Sequence, residues 1–159
     1  LAPEVVVRSL RDTAVEAPHG IDAILFVLKK ERVTTSEQET LSYVAEDLFG
    51  KDCLPNLYMV VTHAGRLASN AAAREPWLRE QASASVPFGA IVATFGPTPL
   101  ERIAFVENPD LGDADDDEDR ASAARRRQRA LTDVQALLGR HQAPPYQHGI
   151  MHKAGEMQA

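Results

Sequence analysis

The sequence predicts an α/β fold in which the strands of a parallel sheet alternate with helices. Two short apolar runs, at residues 21–28 and 57–62, are rich in branched and aromatic side chains, which is typical of strands buried on both faces. A helical pattern lies between them, and strand, helix and strand over about 40 residues form a βαβ unit with a parallel crossover. The length of 159 residues suits one globular domain.

The first helix is predicted over residues 3–16. Pro3 is well tolerated in a first helical turn, and Val6, Leu10 and Ala14 recur at the spacing of one helix face. The first apolar run should follow directly as a strand.

The second helix should begin at Thr34, because Thr34 followed three residues later by Glu37 makes a capping-box pattern. Gly50 is a natural C-terminal stop. Apolar residues at i, i+3, i+4 and i+7 predict one apolar face, formed by Leu41, Val44, Ala45 and Leu48.

The second half of the chain is less regular. Two helical segments are expected around residues 76–84 and 88–95, with Trp77 docking one of them, although several Pro and Gly residues interrupt the pattern. Residues 102–106 are a third strand candidate, and residues 121–139 read as a helix. The residues of that helix predicted to face inward are Leu131, Val134, Leu137 and Leu138.

The charge of the chain is concentrated in one segment. The chain has 17 Lys plus Arg and 23 Asp plus Glu, a formal net charge of -6, and residues 113–119 supply six of the acids. We expect this segment to be a mobile insertion outside any binding site, with an i, i+4 pairing to Arg120 or its neighbours. The acids compensate the basic cluster at residues 125–129, so no nucleic-acid partner is predicted.

Other features favour a simple cytosolic chain. Residues 141–159 show almost no apolar periodicity, so we expect a disordered tail, whose histidines match no metal-ligand spacing. The lone Cys53 cannot form an internal disulfide, fits a reducing compartment and should be a packing residue. The longest purely apolar run, residues 23–28, is far too short for a transmembrane helix.

Two polar loops stand where a ligand would bind. Ligands of parallel α/β sheets bind at the carboxyl ends of the strands. Thr62-His63-Ala64-Gly65 follows the second predicted strand, and Glu107-Asn108-Pro109 follows the third. Such loops can recognise a planar base through an aromatic face and hydrogen bonds to its edge. From the residues alone, ordinary strand-exit loops are the favoured interpretation.

An ordered set of segments resembles the AIG-type GTPases, a family that includes the GTPases of immunity-associated proteins and the Toc receptors of chloroplast protein import. The resemblance covers roughly residues 4–110. Its segments, in chain order, are GIDAILFVL at residues 20–28, RVT at 32–34, EQE at 37–39, LFG at 48–50 and YMVVTHA at 58–64. It implies that residues 1–140 are the carboxyl-terminal part of a P-loop NTPase-type G domain.

The strand-exit motifs are similar to the Toc branch. Thr62-His63-Ala64 matches the Toc-type "THA", and Phe105-Val106-Glu107-Asn108 looks like the Toc-type "YAEN". The resemblance implies a guanine site formed by Thr62, His63, Glu107 and Asn108, with His63 against the base face and Glu107 accepting from N1–H and the 2-amino group. Most GTPases place that acid in a T/NKxD motif, where this chain has Gly65. Base selectivity should therefore come from Glu107 or be weak.

Arg32 matches a family arginine that lies near the nucleotide and the dimer interface. The resemblance implies that its guanidinium reaches a phosphate across a homodimer, or across a pair with a related GTPase. A surface arginine on a loop is the open alternative. The implied location is the cytoplasm or the cytosolic face of an organelle membrane.

The phosphate-binding motifs of the family are absent from the sequence. No G-x-x-x-x-G-K-[ST] loop, which would hold the β and γ phosphates, occurs in the 159 residues. We therefore interpret the chain as the guanine-recognition half of a GTPase, without catalytic residues or a metal site of its own. Its ligand would be GTP or GDP, with Mg²⁺ bound only in the complete parent. The alternative is a non-catalytic interaction or scaffold domain with a degenerate G-domain fold.

Overall fold

The computed structural model describes residues 3–31, 33–112, 116–141 and 143–147. Helices alternate with three short strands along the chain. In order, the elements are α1 (Pro3–Glu16), β1 (Ile24–Lys29), α2 (Thr35–Ser42), a π-helical segment (Tyr43–Leu48), a 3₁₀ segment (Lys51–Asn56), β2 (Leu57–Thr62), α3 (Arg66–Ser69), a 3₁₀ turn (Ala71–Ala73), α4 (Arg74–Ala84), α5 (Val86–Thr94), a 3₁₀ turn (Pro99–Arg102), β3 (Ile103–Phe105) and α6 (Asp117–Arg140).

The three strands form one parallel sheet in the order β1-β2-β3. β1 pairs with β2 from Ile24 opposite Leu57 to Lys29 opposite Thr62, and β3 pairs with the second half of β2. The central strand β2 is buried along almost its whole length, as the apolar run at residues 57–62 predicted. The predicted α/β fold with a parallel sheet is confirmed, and all three carboxyl ends meet at one edge.

The first two helices begin where the sequence predicted. α1 spans Pro3–Glu16, and the capping box at the start of α2 is present, with the Thr34 N–H donating to Glu37 Oε2 at 2.9 Å. The helix then widens into the π-helical segment, whose last turn is closed by the Phe49 N–H on the Val44 carbonyl. Gly50 follows with φ +74°, a conformation that glycine adopts without strain.

We expect Thr34→Ala to lower the free energy of unfolding by about 1 kcal/mol near neutral pH, the usual cost of losing a helix cap. The hydrogen bond from Thr34 holds the pKa of Glu37 below its ordinary value. A lowered folded-state pKa stabilises the fold above the unfolded-state pKa, and this contribution is lost as pH falls through the folded-state pKa. The difference between the variant and wild type should therefore shrink in acid. Urea unfolding measures it, with the neighbouring exposed Thr35→Ala as the control.

Helices α4 and α5 confirm the two predicted helical segments and the docking of Trp77. The Trp77 ring meets Phe88 of α5 and Phe105 of β3 edge-on, with centroid distances of 5.5 and 5.7 Å. α5 also approaches α4 closely, since a Cβ on Gly89 would stand 2.7 Å from the Ala82 carbonyl. These contacts fix both helices over one face of the sheet.

The last helix begins earlier than predicted, and part of the acidic run belongs to it. Asp116 caps α6 by accepting from the Asp119 N–H at 2.8 Å, and three acids occupy the first turn, where the helix dipole favours them. The expected mobile insertion is therefore wrong for residues 116–119, while residues 113–115 lie outside the described residues. The predicted pairing with Arg120 occurs at i, i+3, with Asp117 at 3.5 Å.

The buried face of α6 differs from the prediction at one position. Leu137 is fully buried, and Val134 and Leu138 pack partly against the same cluster, but Leu131 is 52% exposed. The buried stripe runs through residues spaced by seven, Ala123, Ala130 and Leu137. Leu131 follows Ala130 directly, so its side chain points about 100° away from that stripe.

The prediction of a disordered tail is wrong for residues 141 and 143–147. Tyr146 is buried and exchanges backbone hydrogen bonds with Ile21, each at 2.9 Å. The Asn56 amide donates to the Pro144 carbonyl at 2.9 Å, and the Tyr58 hydroxyl donates to the His141 carbonyl at 3.0 Å. Contacts with distant parts of the chain order this segment. Residues 142 and 148–159 of the predicted tail lie outside the described residues.

Cys53 is a packing residue, as predicted. Its side chain is fully buried in a cluster with Val44, Phe49 and Tyr146, and burial raises the pKa of its thiol. Across the described ranges, none of the helices has the length and apolarity needed to cross a bilayer.

Candidate functional site

The two polar loops predicted from the sequence lie side by side at the carboxyl edge of the sheet. The parallel ladder continues past the strands, because the Val106 N–H donates to the Val61 carbonyl at 2.9 Å and the Ala64 N–H donates to the Val106 carbonyl at 3.2 Å. Ala64 is fully buried and anchors the first loop. His63 and Gly65, which flank Ala64, are therefore exposed at this edge of the sheet.

The first loop has an unusual backbone. His63 is the non-glycine residue with positive φ, +54°, among those described, and Gly65 also has φ +54°. A left-handed conformation costs a histidine of the order of 1 kcal/mol or more, and such strain is concentrated at functional sites. The side chain of His63 is exposed at this edge of the sheet.

Thr62 ties this loop to the neighbouring strand. Its hydroxyl donates to the Leu28 carbonyl at 3.1 Å and lies 3.3 Å from His63 Nδ1. Thr62 and His63 line different clefts. The cleft that Thr62 lines is also lined by Val27 of β1 and Val60 of β2. The structure therefore gives Thr62 a supporting position next to His63.

The carboxylate of Glu107 lies between the two loops and α6. Its Oε1 accepts a short hydrogen bond from the Gly65 N–H, so the second loop is joined to the first. Its Oε2 lies 3.9 Å from Arg126 Nη1, with the Glu107 side chain 26% exposed and the Arg126 side chain 48% exposed. Glu107 is thus held in place while its side chain remains partly exposed.

A polar cleft of about 550 Å³ opens between these loops and α6. Its lining brings together the predicted residues His63 and Asn108 with charged residues from the following segments, Asp110, Asp119 and Arg126. Its remaining walls are Pro109 and Ala123. Arg32, the fifth predicted residue, lies outside the described residues.

Arg126, Asp119 and the Gly65 N–H were missed by reasoning from the sequence. Asp119, Ala123 and Arg126 are spaced i, i+4 and i+7, so they share one face of α6. That spacing was visible, but a helix predicted to begin at residue 121 leaves Asp119 outside it. The pairing of a backbone N–H with Glu107 has no sequence signal.

A further cavity lies away from the predicted loops. A cavity of about 510 Å³ between α1 and the second helix is mainly apolar and contains none of the predicted site residues. Within the parts of the chain that are described, no group of three or more His, Cys, Asp or Glu side chains could hold a metal ion.

No protein-family model matches the chain, and no curated protein matches its sequence. The resemblance to AIG-type GTPases is therefore carried by the motifs alone. The position of those motifs in the structure is the basis for a functional proposal.

Proposed function

We propose that the chain binds a guanine nucleotide in the carboxyl-edge cleft, as the guanine-recognition half of a GTP-binding protein of the AIG type. The observation that carries the proposal is the position of Glu107. Its carboxylate is held by the Gly65 N–H at the junction of both strand-exit loops, beside the cleft that His63 and Asn108 line.

The chemistry of guanine fits these groups. The base presents two adjacent donors, N1–H and the 2-amino group, and an ionised carboxylate offers only acceptors. Adenine has an acceptor at N1 and no 2-amino group, so it cannot satisfy Glu107. The exposed imidazole of His63 can stack on the face of the base, and the Asn108 amide can both donate and accept at its edge.

Phosphate binding and hydrolysis would belong to a complete parent, since this sequence has no G-x-x-x-x-G-K-[ST] loop. There, Mg²⁺ would neutralise phosphate charge, and Arg32 would contact a phosphate across a homodimer or a pair with a related GTPase. Without those groups, the affinity of this chain for a nucleotide should be weak.

The test is a titration of the ¹⁵N-labelled full chain with GMP and with AMP, followed by NMR. The two ligands share a phosphate and a ribose, so only the base differs. We expect GMP to bind more tightly and to shift the amide signals of His63, Gly65, Glu107 and Asn108. Equal affinities, or shifts that are scattered away from the two loops, would refute the proposal.

The alternative, a non-catalytic interaction domain, is favoured by an exposed apolar groove. Val27 of β1 and Leu131 of α6 are 58% and 52% exposed and line a second cleft of about 560 Å³ with Val60 and Val106. Sedimentation of the wild type and of Val27→Lys compares the two functions. Self-association that the variant loses, in a protein without preference for GMP over AMP, would favour the interaction domain.

A further inference from the structure

Arg126 lines the cleft from α6. It lies on the same face of α6 as Asp119 and Ala123, and all three residues line the cleft together with His63. Its Nη1 stands 3.9 Å from Glu107 Oε2. A ligand that enters the cleft therefore meets the Arg126 guanidinium, and the Glu107 carboxylate, which does not itself line the cleft, lies next to that guanidinium.

Arg126 and Glu107 do not form a hydrogen bond with each other. The distance of 3.9 Å exceeds the range of such a bond, and both side chains remain partly exposed. Each group keeps the capacity to bind another partner. Because a guanidinium carries five donors in a planar fork, Arg126 can retain its attraction to Glu107 while it donates to a ligand.

Guanine is the base whose edge matches this arrangement. Its N1–H donor adjoins the O6 acceptor, and arginine donating to O6 and N7 is the commonest specific contact with guanine. Adenine presents an acceptor at N1 and a donor at position 6, which opposes both groups. Asp110 and Asp119 line the same cleft and would repel a phosphate, so a phosphate contact does not suit Arg126.

We propose that Arg126 donates to guanine O6 while Glu107 accepts from N1–H, which makes Arg126 a second specificity-determining residue. This inference rests on the proposed guanine binding. It assigns a role to α6, an element outside the two loops that the sequence motifs identify.

The experiment compares wild type and Arg126→Ala with three probes: GMP, AMP and 6-thioguanosine 5′-monophosphate. The thio analogue keeps N1–H and the 2-amino group but replaces O6 by sulfur, a weak acceptor. Affinities come from NMR titration of the full chain. Arg125→Ala is the matched control, because Arg125 is an exposed neighbour on α6 that lines none of the described clefts near the loops.

We expect Arg126→Ala to weaken the binding of GMP about tenfold, the scale of one specific base contact, and to leave the affinity for AMP nearly unchanged. The loss should be much smaller with the thio analogue. An equal loss for GMP and the thio analogue would mean that Arg126 only positions Glu107, and an equal loss for all three would mean a phosphate contact. Either result, or an unchanged GMP affinity, overturns the inference.

The proposed function is tested separately, by the preference of the wild type for GMP over AMP. A wild type without preference for GMP over AMP overturns both proposals. A wild type that prefers GMP, combined with an insensitive Arg126→Ala variant, overturns only the role of Arg126.

Discussion

Tyr146→Ala is expected to lower the free energy of unfolding by about 3–5 kcal/mol, the cost of removing a buried aromatic side chain. The Tyr146 ring is buried and meets Phe49 edge-on at a centroid distance of 5.5 Å. Its hydroxyl donates a short hydrogen bond to the Phe49 carbonyl. Ala14, Val44 and Cys53 complete the cluster, so the truncation leaves a cavity among residues from three separate segments.

Urea unfolding of the full chain measures this loss. Tyr146→Phe keeps the ring and removes the hydroxyl, and it should cost only about 1 kcal/mol, as for one hydrogen bond. Gln147→Ala changes an exposed neighbour and should have little effect. If Tyr146→Ala unfolds at the same urea concentration as wild type, the segment around Tyr146 does not contribute to the stability of the fold.

The parts of the fold that could be predicted are those encoded by local pattern. The run at residues 57–62 shows no alternation of polar and apolar residues, and it forms β2, the central strand of a parallel sheet. The start of the second helix could be predicted because the partners in a capping box, Thr34 and Glu37, are three residues apart. Both signals depend on neighbours in the sequence.

The parts that could not be predicted depend on contacts between distant residues. Tyr146 pairs with Ile21, more than a hundred positions away, and no periodicity marks a single aromatic residue in a polar segment. The acids before α6 read as a solvated loop, although Asp116 forms a cap and the following turn is helical. An acidic run is typical of a solvated loop, but acids also stabilise the start of a helix.

The candidate site shows the same division. The rule that strand ends meet at one edge identified the loops of His63 and Glu107, and the structure places them side by side. It could not identify Arg126, because that side chain reaches the cleft from a helix whose start and rotation depend on packing. The roles of these residues in binding guanine are predictions.

Glu107→Ala is expected to reduce the binding free energy of GMP by about 1–3 kcal/mol, the scale of a lost charged hydrogen-bond partner. The affinity for AMP should change little, because adenine cannot donate from N1. The preference for GMP should therefore fall to the part that the proposed Arg126 contact supplies. Titration of the full chain with both nucleotides measures the change, and Glu80→Ala, which removes an exposed glutamate from α4, is the control.

Glu107 also joins the two loops through the Gly65 N–H, so a loss of binding could arise from a disturbed backbone. Glu107→Gln separates these effects. Its amide oxygen can still accept from Gly65, while its NH₂ group faces the donor edge of guanine and cannot accept from it. We expect Glu107→Gln to keep the thermal stability of wild type and to lose the part of the preference for GMP that Glu107 supplies. If Glu107→Gln retains both, Glu107 joins the loops and does not select the base.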